Sequence, residues 1–245
     1  MQLAYDGAPF HGWQSQPGGV ATVQSALEDA LSKVLRIPVA VTGAGRTDTG
    51  VSARMMVAHF DIPDHTPLSP DALPRAIGAI TGPAIAVKRV WAVPPEMHAR
   101  FSATSRTYRY FALTRRSPFF HRLAWTAPPA LDFEAMNAAA RVLLHTSDFT
   151  SFSKLHTDVK TNICHVTRAE WIPVPHTHST WMFEITADRF LRNMVRAVVG
   201  TLVEVGRGKL TVDGFRDVIA AKDRCAAGTS MPAHALYLWD ITYPG

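Results

Sequence analysis

Apolar residues in this chain switch between a spacing of two and a spacing of three to four, in the same order twice. That order constrains the fold more than any other feature, because each spacing commits a segment to one kind of backbone. In the first half, Gln2–Asp6 reads as a short strand. Thr22–Arg36 reads as a helix, with Val23, Leu27, Ala30, Leu31, Val34 and Leu35 on one stripe. Val39–Thr42 is a strand running into Gly43-Ala44-Gly45, a loop signal, and Val57–Ile62 is another strand. Ser69 caps a helix with Pro70 at its first position, reaching about Ile80 despite Pro74, and Ala84–Val93 closes the half as a strand.

The second half repeats the order. Arg106–Thr114 alternates as a strand does, and Asp132 caps a helix reaching about Leu144. Strands follow near Ile163–Ile172 and Trp181–Asp188. Phe190–Val205 is a helix striped by Leu191, Met194, Val195, Val198, Val199 and Leu202, ended by Gly206 and Gly208. A shorter helix over Val212–Ala221 precedes a last strand, Leu236–Tyr243. The reading is therefore α+β: two ferredoxin-like β-α-β-β-α-β units with antiparallel sheets, side by side around a central cleft that a large ligand can enter. The expected division is 1–99 and 100–245, and the join near Met97–Ala103 shows no flexible linker.

A chain of 245 residues buries enough apolar surface to fold without disulfides or metals. No apolar run approaches the ~20 residues of a membrane span, and Met1-Gln2-Leu3-Ala4-Tyr5-Asp6 has none of the basic and apolar regions of a signal peptide. The expectation is a cytoplasmic protein with no membrane partner. Cys164 and Cys225 stand far apart without metal-ligand spacing, and His176-Thr177-His178 reads as ordinary loop composition, so no metal is expected.

Charge says more. Lys and Arg number 25 against 20 Asp and Glu, and 19 of those cations are Arg. From Met97 to Leu131 there is no acidic residue, yet Arg100, Arg106, Arg109, Arg115, Arg116 and Arg122 fall inside, interleaved with Phe101, Tyr108, Tyr110, Phe111, Phe119 and Phe120. Guanidinium groups neutralise phosphates and stack on bases, and aromatic faces receive splayed-out bases. A solvated basic face would account for the charge but not for the aromatic interleaving.

Gly43-Ala44-Gly45-Arg46-Thr47-Asp48-Thr49-Gly50 is the most distinctive stretch. No Gly-Lys-Ser/Thr follows its glycines and the G-x-G-x-x-G spacing is absent, so it is neither a Walker loop nor a dinucleotide fingerprint, and no nucleotide cofactor is expected. Glycines on both sides let the backbone turn sharply and present Arg46 and Asp48 from a loop. In an arbitrary loop, the simpler reading is an Asp satisfying turn amides and an Arg in solvent.

The string Gly45-Arg46-Thr47-Asp48-Thr49-Gly50-Val51 resembles the active-site motif of the tRNA pseudouridine synthase A family. Four more blocks are similar to that family in the same order. They are Tyr5-Asp6-Gly7 with Phe10-His11-Gly12-Trp13-Gln14; Val57-Ala58-His59-Phe60; His98 to Ala103 with Arg106-Thr107-Tyr108-Arg109-Tyr110; and Phe190 to Arg196 with Gly200. Ala227-Gly228, Pro232-Ala233-His234 and Leu236-Tyr237-Leu238 resemble its C-terminal block. The two-unit fold is also that family's fold.

The resemblance implies a cofactor-independent isomerisation of uridine to pseudouridine in the anticodon stem-loop of tRNA, at positions 38 to 40, by a homodimer in which one tRNA touches both subunits. The essential aspartate falls on Asp48. It adds covalently at ribose or base, or abstracts the ribose 2′ proton. A carboxylate kept ionised in a closed pocket needs a cation, and Arg196 holds the matching position. Tyr108 matches the tyrosine that stacks on the target uracil. Arg46 matches the arginine that fills the space of the flipped base, whose unstacking costs a few kcal/mol. Arg106 and Arg109 belong to the RNA-facing strand, with alternation placing Tyr108, Tyr110 and Arg106 on one face and Arg109 on the other. Arg192, one turn before Arg196, is a phosphate contact or a support of the helix face.

The sequence departs from the family at Ser52, Arg54-Met55, Met56 and Ala235, and its opening strand is shorter. Ser52 and Met56 bear on how RNA is held and which uridines react. Two rivals share the fold: a synthase with another RNA target, and an inactive RNA-binding relative, which would lack Asp48 or Tyr108. An unrelated hydrolase with an Asp nucleophile would need an acidic metal cluster or a second catalytic carboxylate.

Overall fold

The computed structural model describes residues 1–63, 68–128, 130–154, 161–177 and 179–244. They form two compact units, Met1–Thr104 with Tyr237–Gly245, and Ser105–Leu236. The architecture is α+β, and no described helix is long and apolar enough to cross a membrane.

The first unit runs β1 (Gln2–Tyr5), α1 (Val23–Leu35), β2 (Thr42–Gly43), β3 (Ser52–His59), α2 (Leu73–Thr81) and β4 (Ile85–Arg89). Its sheet has the order β4, β1, β3, β9, where β9 is Leu236–Thr242, and β2 pairs antiparallel with the end of β3. β1 is antiparallel to both neighbours, pairing Leu3 with Met56 and with Val87. The β3–β9 pairing is parallel, Ser52 opposite Tyr237 and Ala53 opposite Leu238, which corrects the expectation of purely antiparallel sheets. Leu3, Met56, Leu27, Leu31, Leu73 and Ile77 fill the core of this unit.

Helix α1 begins where its sequence predicts. Thr22 accepts the Ser25 N–H at 3.2 Å while the Ser25 hydroxyl accepts the Thr22 N–H at 3.2 Å, a reciprocal cap, and Arg36 ends the helix in the left-handed region. Helix α2 starts later than Ser69. Its cap is Ala72 and Pro74 sits in its first turn, while Ser69 closes a turn onto the Ala72 N–H at 3.0 Å. Proline explains the shift. Inside a helix it deletes a hydrogen bond and clashes with the preceding turn, and in the first turn it does neither.

The second unit runs β5 (Ser105–Leu113), β6 (Trp125–Thr126), α3 (Phe133–Ala140), β7 (Val166–Pro173), β8 (Thr180–Ala187), α4 (Met194–Gly206) and α5 (Val212–Ala220). β5, β8 and β7 make an antiparallel sheet, with Tyr108 opposite Ile185 and Tyr110 opposite Phe183, and β6 adds in parallel to β5. Asp132 caps α3 as expected, accepting the Ala135 N–H at 2.9 Å, but α3 tightens after Ala140 into a 3₁₀ turn, Arg141–His145.

Helix α4 begins at Met194, not Phe190. Asn193 adopts φ 66°, a left-handed conformation that no helix continues through. Arg192 therefore lies in the lead-in segment and shares no helical turn with Arg196. Gly200 on α4 meets the 227–231 segment so closely that a Cβ there would stand 1.8 Å from the Thr229 carbonyl oxygen. His178 lies outside the described residues; His176 sits in the turn after β7.

Candidate active site

In the first unit, the loop between β2 and β3 carries Arg46 and Asp48, and its surroundings explain why the opening segment of the chain has the composition it has. The buried Thr47 is the fixed point. Its hydroxyl bonds the Tyr5 hydroxyl at 2.9 Å, and its carbonyl accepts the Trp13 N–H at 3.2 Å. Gly12, at φ 91°, passes so near that a Cβ would lie 2.6 Å from the Thr47 carbonyl oxygen, so only glycine satisfies both the conformation and the approach. The Trp13 ring lies against Gly43, where a Cβ would stand 2.4 Å away. The Val51 N–H returns to the Asp48 carbonyl at 3.1 Å and closes the turn. With its neighbour held on both sides, Asp48 is half-buried and Arg46 projects into solvent.

Ser52 and Met56 take on a different character here from the one their sequence positions suggest. The Ser52 hydroxyl is buried and accepts the Gly7 N–H at 3.0 Å, tying the opening segment to the far end of the acid loop. Met56 is fully buried in the core of the first unit. Neither side chain lies on a surface that RNA could touch. Arg54, by contrast, is exposed, with its guanidinium 4.9 Å from the Trp239 ring centre.

In the second unit the two tyrosines of β5 separate. Tyr110 is completely buried beside Phe183, and burial pushes its hydroxyl pKa well above the usual phenol range, opposed in part by the Arg196 guanidinium. It is a neutral core phenol. Tyr108, two residues earlier on the same face, is half-exposed, and its ring meets Phe190 edge-on at 5.0 Å. The ring is braced on one side in the arrangement aromatic pairs favour.

Arg106, also on that face, donates to the Asp188 carbonyl at 2.9 Å. Arg109 is on the other face, where it pairs with the buried Glu184, which also holds Arg168 at 2.6 Å. Arg196 lies in the first turn of α4 and is half-buried. Its Nε donates to the Met231 carbonyl at 2.6 Å, and its own carbonyl accepts the Met231 N–H at 3.1 Å. Gly200 and Gly228 permit that two-way clasp by allowing backbone against backbone: a Cβ on Gly228 would lie 2.8 Å from the Gly200 carbonyl carbon. Asn193 and Arg224 both reach the Ser230 hydroxyl, at 2.6 and 2.9 Å, and pin the same segment. Arg192 is exposed, and its carbonyl accepts the Lys154 N–H at 3.2 Å.

Among the described residues, no three His, Cys, Asp or Glu side chains are grouped as a metal ion would require. Sequence reasoning missed Thr47, Phe190 and Met231 as supports of Asp48, Tyr108 and Arg196. The signal for Thr47 was its place between Arg46 and Asp48; the other two carry no local signal, because their partners are distant in sequence.

A family model described as tRNA pseudouridine synthase matches residues 2–102 and 139–244. The chain belongs to that family. Among its relatives, the tRNA pseudouridine synthase A of Parabacteroides distasonis is 56% identical, covering all of this chain and 95% of its own length. That of Bacteroides thetaiotaomicron is also 56% identical, over all of this chain and 90% of the relative. The Bacillus subtilis protein of the same name is 40% identical over 98% of this chain and 97% of its own.

Proposed function

We propose that this chain is a cofactor-independent tRNA pseudouridine synthase that isomerises uridines of the anticodon stem-loop. The observation that carries the reading is the clamp on Thr47. Tyr5, Gly12 and Trp13 are all spent on holding one residue, whose neighbour is a half-buried aspartate. A carboxylate that acts on a substrate has to be held within a fraction of an ångström, and rigid support of this kind supplies that.

The reaction needs no co-reactant. The bond from N1 to ribose C1′ breaks, a bond from C1′ to C5 forms, the C5 proton leaves and N1 ends protonated. Asp48 is the essential group, either as a nucleophile at ribose or base or as the base that takes the ribose 2′ proton. Arg196, its Nε held by the Met231 carbonyl, is the cation of the reaction. The braced face of Tyr108 stacks on the uracil, and Arg46 fills the space the flipped base leaves. Arg106 and Arg192 contact phosphates. Arg109, committed to Glu184, stiffens the strand that presents Tyr108 and enters RNA binding only through that strand. In this reading the two units are ferredoxin-like, the protein works in the cytoplasm, and it does so as a homodimer.

Pseudouridine mapping on a tRNA transcript with uridines throughout the anticodon arm tests the proposal. Conversion confined to the stem-loop uridines is expected. Conversion only elsewhere would keep the chemistry and overturn the target, and bound RNA without conversion would indicate an RNA-binding relative.

A further inference from the structure

The second unit holds an open cavity of about 520 Å³ lined by Thr114, Arg116, Trp125, Thr126, Pro128 and Arg207, a size that suits a nucleotide-sized ligand. Two arginines, one half-buried indole and two threonines line it, the Thr114 hydroxyl donating to the Ser179 carbonyl at 3.2 Å, and among the described lining residues none is acidic. Glu204 touches Arg207 from outside the lining, at 3.0 Å, and uses one of its five N–H donors.

The neighbouring 117–124 segment is an ordered turn. The Ser117 hydroxyl accepts the Phe119 and Phe120 N–H groups at 3.3 Å, and the Phe120 carbonyl accepts those of Leu123 and Ala124 at 2.9 and 3.0 Å. That turn holds Phe119 at 83% and Phe120 at 55% exposure, beside Arg115 and Arg122. Water is a poor partner for two exposed phenyl rings, and a neighbouring cation-rich segment free of carboxylates in its sequence is complementary to phosphate.

Thr114, the residue after β5, follows Tyr108 by six positions of extended chain, about 20 Å at ~3.3 Å per residue. That is the length of roughly six stacked base pairs. A base seated on Tyr108 and a phosphate in this cavity therefore belong to different parts of a folded RNA. We infer that the cavity is a second RNA contact, seating a phosphate between Arg116 and Arg207 and a base or ribose against Trp125, in the body of the tRNA beyond the arm that carries the target uridine. The inference rests on the tRNA reading given above and names a further part of the same substrate. RNA fits better than a protein partner, because two guanidinium groups line the cavity and none of its described lining residues is acidic, a balance that suits phosphate.

The test is equilibrium binding of wild type, Arg116→Glu and Arg116→Lys to a full-length tRNA transcript and to its excised anticodon stem-loop, across a salt series. Arg116 is a surface residue, and an unchanged thermal midpoint verifies folding of each variant. Arg116→Glu is expected to weaken full-length binding roughly tenfold and to lower the log–log salt slope by about one. Stem-loop binding stays at the wild-type value, and Arg116→Lys recovers most of the full-length affinity. Equal losses on both RNAs, or no loss on either, would overturn the inference. So would a change in oligomeric state on sedimentation with RNA affinity intact, which would assign the surface to a second copy of the chain. If wild type bound neither RNA, the functional reading itself would fail, a separate outcome.

Discussion

Replacing Gly200 by Ala tests the construction of the Arg196 side of the site. The added Cβ would lie 1.8 Å from the Thr229 carbonyl oxygen, a backbone atom that cannot rotate away. Ordinary contact begins near 3.4 Å, so the 227–231 segment has to retreat by about 1.6 Å. The Arg196 Nε to Met231 carbonyl bond, 2.6 Å long, does not survive a displacement of that size. Overpacking costs about 1–3 kcal/mol and a lost bond to a charged group about 1.5–3 kcal/mol, so a total near 3–5 kcal/mol is expected, relaxation recovering part. Misplacing a site residue by an ångström costs about a hundredfold in rate, which is the expected fall in turnover. Urea unfolding gives the first quantity and single-turnover pseudouridine formation the second. Gly208→Ala is the control. Its φ of 70° strains any residue with a side chain, but its Cβ would meet nothing within 4 Å, so it should cost about 1 kcal/mol and leave turnover intact. A Gly200→Ala protein with wild-type urea midpoint and turnover would refute the clasp as the means of placing Arg196.

Thr47→Val removes the hydroxyl that ties the acid loop to Tyr5 at a net cost of about 1 kcal/mol; turnover should fall more than the stability loss explains, as urea unfolding and rate measured on the same preparation would reveal. Acid should loosen the segment before β5. The His59 Nδ1 accepts the Ala99 N–H at 3.1 Å and the His98 Nδ1 accepts that of Arg100 at 3.1 Å, so both bonds need an unprotonated nitrogen. Burial first, and then the neighbouring His98, lower the His59 pKa from 6.5, only partly opposed by Asp61. Stability from neutral His59 is therefore complete above 6.5 and lost as pH falls through its lower folded value. Urea midpoints across that range should drop in wild type, and less in His59→Gln.

The sequence was most legible where cause and effect are local. The stripe on α1 and the cap Asp132 act within four residues; Asp132 caps α3 as read, and Val23, Leu27, Ala30, Leu31 and Leu35 of the stripe are buried. The starts of α2 and α4 moved because Pro74 and the left-handed Asn193 outrank apolar periodicity, which continues through both. The parallel partner of β9 lies some 180 residues away, and strand pairing at that distance leaves no trace in spacing. Asp48 and Tyr108 were recognisable from motif strings, yet the alternation that pairs Tyr108 with Tyr110 could not tell the braced, half-exposed ring from the core one. That distinction depends on where the packing of the second unit stops. Ser52 and Met56 illustrate the reverse: unusual residues at motif positions, explained by burial and not by RNA.

The central claim is that Asp48 performs the chemistry on an RNA that other residues hold. The most direct measurement pairs turnover with tRNA affinity for wild type and Asp48→Asn, a change that removes charge with little change of shape. Asp48→Asn is expected to form no detectable pseudouridine and to bind tRNA with a Kd within about twofold of wild type, since phosphate contacts dominate the affinity. Pseudouridine formed at a substantial fraction of the wild-type rate by Asp48→Asn would contradict that claim.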